Sequence, residues 1–340
     1  MDALDEHRDC RQYKRCRRNY CLSLLGCFDP AKKAKANSSL NLWGDALIPG
    51  TLELGKIERW AGPFPAETCD RAVDALEDGL VIYFPRLAFT LEEQERCLLS
   101  PSVADGKAKN VSLDPASGSV KGAAADADRA ALQTMLERFA SQATRLVSEL
   151  FPAYVSGLER ARTSYRPVEI TGRSYSPLKD DKLLHVDAFP STPTQGRRIL
   201  RLFTNIAPAG QARIWRVGEP FQDFARKFLP SLPRPNPLSA WFFAAVGATK
   251  SRRSPYDQLM LALHDGAKRD AAYQKGAPQV EIGFPPGTTW LCYTDQVLHA
   301  ALAGQFALEQ TFHLELASMV DTARSPLKVL EGLAGRPLAS

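Results

Sequence analysis

The sequence predicts an α+β protein built on a double-stranded β-helix, a jelly roll of the cupin type, with helices wrapped around it. Three observations carry this expectation. His185-Val186-Asp187 opens the stretch LLHVDAFPSTPTQGRRILRLFTNI (183–206), whose second half, Arg198–Ile206, reads as a strand. A late stretch, QVEIGFPPGTTWLCYTDQVLHAAL (279–302), runs turn, strand, turn and then His299. That order is how a double-stranded β-helix returns a late histidine to an early H-x-D. Between the two lies a long segment with helical patterning, so the strands come in two groups around an insertion.

H-x-D matters because alternate residues of a strand face the same way. His185 and Asp187 then share one face, and Val186 faces the opposite layer. One imidazole and one carboxylate, joined by His299, make the two-histidine, one-carboxylate face that holds a non-haem Fe(II) and leaves other coordination positions open. A turn at Pro190–Gly196 leads into Arg198–Ile206, which carries Arg201 close in sequence to the metal ligands.

In chain order, Met1–Leu40 stands apart: nine Lys and Arg residues against five acids, with Tyr20–Leu25 between the basic runs. It reads as a disordered tail, or as a basic element that lies on anionic lipid headgroups. Residues 41–340 are expected to form one domain. Asn41–Pro65 is short strands and turns. Ala66–Glu77 has helical spacing, Gly79–Phe84 is an apolar strand closed by Pro85, and Leu91–Leu99 reads as a charged amphipathic helix. Asp105–Gly122 is a polar loop rich in turn formers. Across Ala123–Leu150, Leu132, Met135, Leu136, Phe139, Ala143, Leu146 and Leu150 recur at three- and four-residue steps, a long helix with one buried stripe. Ala161–Lys182 sets Arg162, Arg166, Arg173, Lys179 and Lys182 among tyrosines just before H-x-D, and arginine forks suit carboxylates and phosphates.

Beyond Arg198–Ile206, Ala209–Val217 places Trp215 between Arg213 and Arg216, where it walls a sugar or acyl pocket or packs in the core. Helical insertions are expected over about 219–275, broken by SLPRPNPLS and SRRSPYDQ, with Trp241–Val246 as a short buried segment and His264 in a structural role. Gly304–Leu316 reads as a final strand pair that turns Gln310 and His313 toward the metal pocket, and Leu327–Leu333 as a short helix.

Composition bounds the function. Net charge is +5 with 44% hydrophobic residues, which suits an anionic substrate or membrane surface and, without a motif, argues against nucleic acid. No apolar run approaches the roughly 18 residues of a membrane span, and no secretory signal is read. Seven cysteines without a C-x-x-C pair fit a reduced, cytosolic protein better than a disulfide or zinc framework. No P-loop, GxGxxG, GxSxG or HExxH is present.

HVDAFPS together with DGKAKNVSLDP upstream and HAALAGQFALEQTFHLEL at the end resembles the 3-deoxy-D-manno-octulosonic acid (Kdo) hydroxylases, from about Asn41 to Met319. The resemblance implies an Fe(II)-dependent dioxygenase that uses 2-oxoglutarate and O2 to hydroxylate C3 of the Kdo sugar of Kdo-lipid A. It implies peripheral work at the cytoplasmic face of the inner membrane. His185, Asp187 and His299 match its metal ligands. Many relatives in the superfamily hold 2-oxoglutarate with an arginine roughly ten residues past the last histidine. Here that region reads Leu308-Glu309-Gln310-Thr311, so Arg201 is the expected replacement, followed by Thr204, Gln310 and His313. Arg166, Arg173, Arg213 and Trp215 are expected to contact substrate. Two competing readings are a 2-oxoglutarate hydroxylase of another small molecule or protein side chain, and a non-catalytic sugar- or lipid-binding module.

Overall fold

The computed structural model describes residues 50–339 apart from 173, 174 and 209, so the basic segment 1–40 and Arg173 lie outside the described residues. The chain opens with β1 (Thr51–Glu53), α1 (Ala66–Glu77) and β2 (Val81–Phe84). Then come β3 (Val111–Leu113), β4 (Val120–Lys121), α2 (Asp126–Leu150), β5 (Leu158–Arg166), β6 (Arg198–Asn205) and β7 (Arg213–Gly218). Four helices follow: α3 (Phe221–Phe228), α4 (Pro237–Ala245), α5 (Pro255–Arg269) and α6 (Ala271–Gly276). Strands β8 (Gln279–Phe284), β9 (Thr289–Tyr293), β10 (His299–Ala303) and β11 (Ala307–Leu314) and helix α7 (Pro326–Ala334) complete it.

The strands form a large sheet in the order β1-β2-β9-β6-β11-β5-β3-β4 and a smaller one in the order β10-β7-β8. Neighbours in both sheets are antiparallel except β1 and β2. This is the jelly roll, with the insertion α3–α6 between β7 and β8. Alternation along the strands sorts side chains into two layers. Leu200 and Leu202 of β6, Leu291 and Tyr293 of β9, and Leu308, Phe312 and Leu314 of β11 join the main core. There they meet the stripe of α2, from Leu132 through Phe139 to Leu150, all fully buried. Each large apolar side chain so buried stabilises by roughly 1.5–3 kcal/mol. The other face of the large sheet looks toward the smaller sheet across Phe203, Trp215, Phe284 and Trp290. Phe284 and Trp290 stack with centroids 4.1 Å apart, and Trp215 meets Phe203 edge-on.

Four expectations need correction. The segment 91–99 forms a short 3-10 helix, Glu93–Leu98, whose N-terminus is closed by a capping box of Glu92 and Glu95. The polar loop 105–122 contains the small edge hairpin β3–β4. Gly304–Leu316 is one strand, β11, whose partners are β5 and β6. Trp241–Val246 is exposed: Trp241 and Val246 turn outward, so apolar composition there does not mean core.

Candidate metal centre

H-x-D makes an isolated bridge beside the smaller sheet. His185 N–H donates to the His299 carbonyl at 3.1 Å, and His299 N–H donates to the His185 carbonyl at 2.9 Å. This reciprocal pair puts the two imidazoles side by side, ring centroids 4.6 Å apart. One residue on, Asp187 N–H donates to Thr294 O at 2.7 Å, which swings its carboxylate to the same side; Oδ1 lies 3.9 Å from His185 Nε2. Donor atoms of His185, Asp187 and His299 lie within 4.8 Å of one another. The same-face expectation holds, although the local backbone is a bridge and not a full strand.

The donor set suits a cation. His185 Nδ1 is 2.7 Å from Leu183 O, and His299 Nδ1 is 2.9 Å from Val297 O. A carbonyl only accepts, so each Nδ1 carries the proton and each Nε2 keeps its lone pair for a metal. Burial lowers the pKa of both rings, and for His185 the neighbouring His299 adds to it, so both are held neutral. Burial alone would raise Asp187, but the Arg201 guanidinium beside it lowers its carboxyl below the ordinary range. Its Oδ2 is buried and accepts no hydrogen bond among the described residues. Two neutral imidazoles and one under-satisfied carboxylate on one face fit a non-haem Fe(II).

Around the triad is a cavity of about 190 Å³, lined by Lys109, Arg166, Arg201, Arg213, Phe203 and Trp215, among others. Its cations differ in their partners. Arg201 Nη1 lies 3.2 Å from Asp187 Oδ2 and 3.4 Å from Glu309 Oε1. Arg166 binds Glu309 through Nε, at 3.1 Å, and Nη2, and its Nη1 lies 3.6 Å from Asp181. Lys109 is paired with Asp181 as well. Arg213 is buried and has no carboxylate within ion-pairing distance among the described residues. Its Nη1 donates to Gly304 O at 3.1 Å, and its Nε has no partner. Gly304 is required for that approach: at φ +104° a Cβ would stand 2.9 Å from Arg213 Cα. Burial, with Arg166 nearby, pushes the Arg213 pKa down to about 9, the mark of a cation short of a counter-ion.

The Kdo hydroxylase family, described as 3-deoxy-D-manno-oct-2-ulosonic acid (Kdo) hydroxylase, matches residues 59–337. The chain belongs to this family. Solved structures of the Kdo hydroxylase KdoO, a non-haem Fe(II) α-ketoglutarate-dependent dioxygenase, are similar along nearly their whole length. The complex with α-ketoglutarate and Fe(III) is 46% identical, with a TM-score of 0.81, covering 85% of this chain and 97% of that one. The cobalt(II) complex is 47% identical, with a TM-score of 0.83, covering 86% and 98%. The complex with succinate and Fe(III) is 46% identical, with a TM-score of 0.82 and the same coverage as the cobalt form. No relative matches among curated proteins.

Within this Kdo hydroxylase fold the residues singled out by sequence divide cleanly. The triad, Arg201, Arg166, Arg213 and Trp215 are brought together. Thr204 and Gln310 are not. Both sit at the strand parity of the main core, where the Thr204 hydroxyl donates to Thr288 O and the Gln310 amide binds Thr163 and Ala161. His313 has the inward parity but lies further along β11, edge-on to Phe189 at 6.2 Å and off the cavity wall. Trp215 is an internal wall stacked on His299. His264 stands edge-on to His185 at 5.4 Å, with its Nδ1 2.8 Å from Asp265 Oδ1. Sequence reasoning missed Lys109, Asp181 and Glu309. Glu309 was legible in principle: counting alternation on β11 selects 309, 311 and 313 for the cavity side and puts an acid where many relatives carry an arginine.

Proposed function

We propose that the protein is an Fe(II)- and 2-oxoglutarate-dependent dioxygenase that hydroxylates a Kdo sugar, with the Kdo of Kdo-lipid A as its substrate. The observation that carries this reading is the triad of two fixed, neutral imidazoles and an under-satisfied carboxylate beside Arg213, a buried cation without a counter-ion. In KdoO the corresponding ligands are a metal and α-ketoglutarate, as the names of its complexes state.

His185, Asp187 and His299 would hold the iron. Iron with 2-oxoglutarate and O2 supplies the oxidation that inserts one oxygen atom into a C–H bond of the sugar, with succinate and CO2 as the other products. The chain's own residues position and protect. The carbonyls of Leu183 and Val297 fix the ring orientations, and the Trp215 indole keeps water from one face of His299. Arg201 holds the Asp187 carboxylate and is itself balanced by Glu309. That balance leaves Arg213 as the receptor for the far carboxylate of 2-oxoglutarate, in place of the Arg201 assignment suggested by sequence. Lys109 and Arg166, tied to Asp181 and Glu309, are available to the sugar carboxylate. The hydroxyl transferred needs no protein general base, and the cavity contains no Ser–His or Cys–His pair among its lining residues.

The substrate places the work at a membrane surface, and the reading takes that surface to be the cytoplasmic face of the inner membrane. No helix of the described residues is long and apolar enough to cross a membrane. The test is succinate release by protein loaded with Fe(II) and given 2-oxoglutarate, O2 and Kdo-lipid A. Substrate-dependent succinate together with a mass gain of one oxygen on the Kdo unit is the expected result. Succinate without sugar modification would keep the cofactors and discard the substrate.

A further inference from the structure

Helix α4 is inside out. Leu238, Trp241 and Phe242 fall at the i, i+3 and i+4 positions of one face, and Val246 follows directly after the helix. In a globular protein that stripe faces the core. Here it faces solvent: Leu238 is 78% exposed, Trp241 63% and Phe242 55%, while Ala240 on the other side is buried. Phe243 adds a further exposed ring at the edge of the patch. An apolar face of this kind marks a contact surface and is rarely left in water without one.

The surroundings narrow the partner. Arg226 and Lys227 are paired with Asp223 and Glu219, but Arg234, Lys250, Arg252 and Arg253 have no carboxylate within ion-pairing distance among the described residues. Arg234, Lys250 and Arg252 are exposed beside the patch. A second copy of this chain fits less well, because a two-fold contact meets itself and would bring these cations up to their own duplicates. Residues 1–40 are also basic and share that difficulty. Aromatic and aliphatic side chains ringed by Lys and Arg complement the interface of an anionic lipid layer, with rings at headgroup depth and cations on phosphates.

We propose that α4 and its cationic flank dock the protein on an anionic lipid surface by shallow insertion of Leu238, Trp241, Phe242 and Val246. The connection to the metal centre is direct. Arg253 lies over the Phe243 ring at 5.3 Å and donates from Nε to Pro190 O at 3.2 Å. Lys250 N–H donates to Ser191 O at 2.9 Å. Pro190 and Ser191 belong to the loop that leaves Asp187, so the docking helix is fastened to the loop beside the cavity. A substrate whose sugar is carried on a lipid would then be met by a protein already seated on that lipid; this clause rests on the function proposed above, whereas lipid binding itself does not.

The test is flotation of the full chain with phosphatidylethanolamine–phosphatidylglycerol vesicles and, in parallel, with phosphatidylcholine vesicles. The protein is expected to float with the anionic vesicles, and added salt to weaken the binding without abolishing it. The double variant Trp241→Ser/Phe242→Ser is expected to lose partitioning by about tenfold or more, with an unchanged thermal unfolding midpoint because both side chains are exposed. The pair Trp241→Phe/Phe242→Trp keeps the apolar face and is expected to retain binding. Wild-type-like flotation of the serine variant, or no flotation of the wild type, would overturn the proposal. So would a dimer in sedimentation velocity that the serine variant splits, since the patch would then be a subunit interface. Vesicle binding is read without turnover, so a failure of Kdo hydroxylation would remove the proposed function and leave the docking result standing on its own.

Discussion

The Trp215 indole lies flat against the His299 imidazole, centroids 5.2 Å apart and planes inclined by 23°. The stack comes from the smaller sheet, where β7 is the direct neighbour of β10 with Ala301 opposite Trp215. It fixes the one degree of freedom, ring rotation, that the Nδ1–Val297 hydrogen bond leaves partly open. Replacing Trp215 by Leu is expected to weaken metal binding on the order of tenfold and Trp215→Phe by less. Cobalt(II) titration followed by visible absorption checks this, and equal affinity in all three proteins would make the indole a packing residue only.

Asp187→Ala is expected to lose metal and turnover together, because it removes the only carboxylate of the three-donor face. Metal content after loading and succinate yield are the paired readouts. Full activity in this variant would remove the triad assignment.

Arg213 and Arg201 are separated by their partners. Arg213→Met removes a charged hydrogen-bond donor that faces the cavity and is expected to raise the 2-oxoglutarate KM by roughly 10- to 100-fold. It is expected to leave the fold as stable or more so, since it deletes a buried cation without a counter-ion. Arg201→Met unbalances Asp187 and Glu309 and is expected to destabilise. Steady-state kinetics with 2-oxoglutarate and chemical unfolding distinguish the two, and a larger KM effect at Arg201 would return the carboxylate to that residue.

Glu309 yields a pH prediction. Burial raises its carboxyl, but Arg166 and Arg201 outweigh that and hold the folded-state pKa below the usual value. Its stabilisation is therefore fully present above the unfolded carboxyl pKa of about 4.3 and is lost as pH falls through the lower folded value. Glu309→Gln is expected to cost about 3 kcal/mol at neutral pH, since it strips the shared partner from two buried guanidinium groups. The deficit should shrink as the medium becomes more acidic than about pH 4. Urea unfolding of both proteins across that range checks it, and a deficit independent of pH would assign it to packing.

The sequence by itself determined the parts that depend on local order. Strand and helix periodicity located β2, β6, β9, α1, α2 and α7 to within a few residues. The H-x-D spacing placed His185 and Asp187 on one side because that parity is a property of extended backbone. The late His299 and the family resemblance supplied the third candidate ligand. What only the tertiary structure decided was pairing and exposure. Thr204 and Gln310 were lost because strand parity relative to the sheet, not nearness in sequence, chooses the layer. Arg201 is paired and Arg213 is left without a carboxylate partner because the fold decides which carboxylates stand beside each cation, and Glu309 and Asp181 arrive from distant segments. Trp241 and Phe242 were expected in the core because apolar composition is silent about direction. Burial is a relation between one helix face and the rest of the chain, and only the packed molecule shows that nothing in residues 50–339 covers this one.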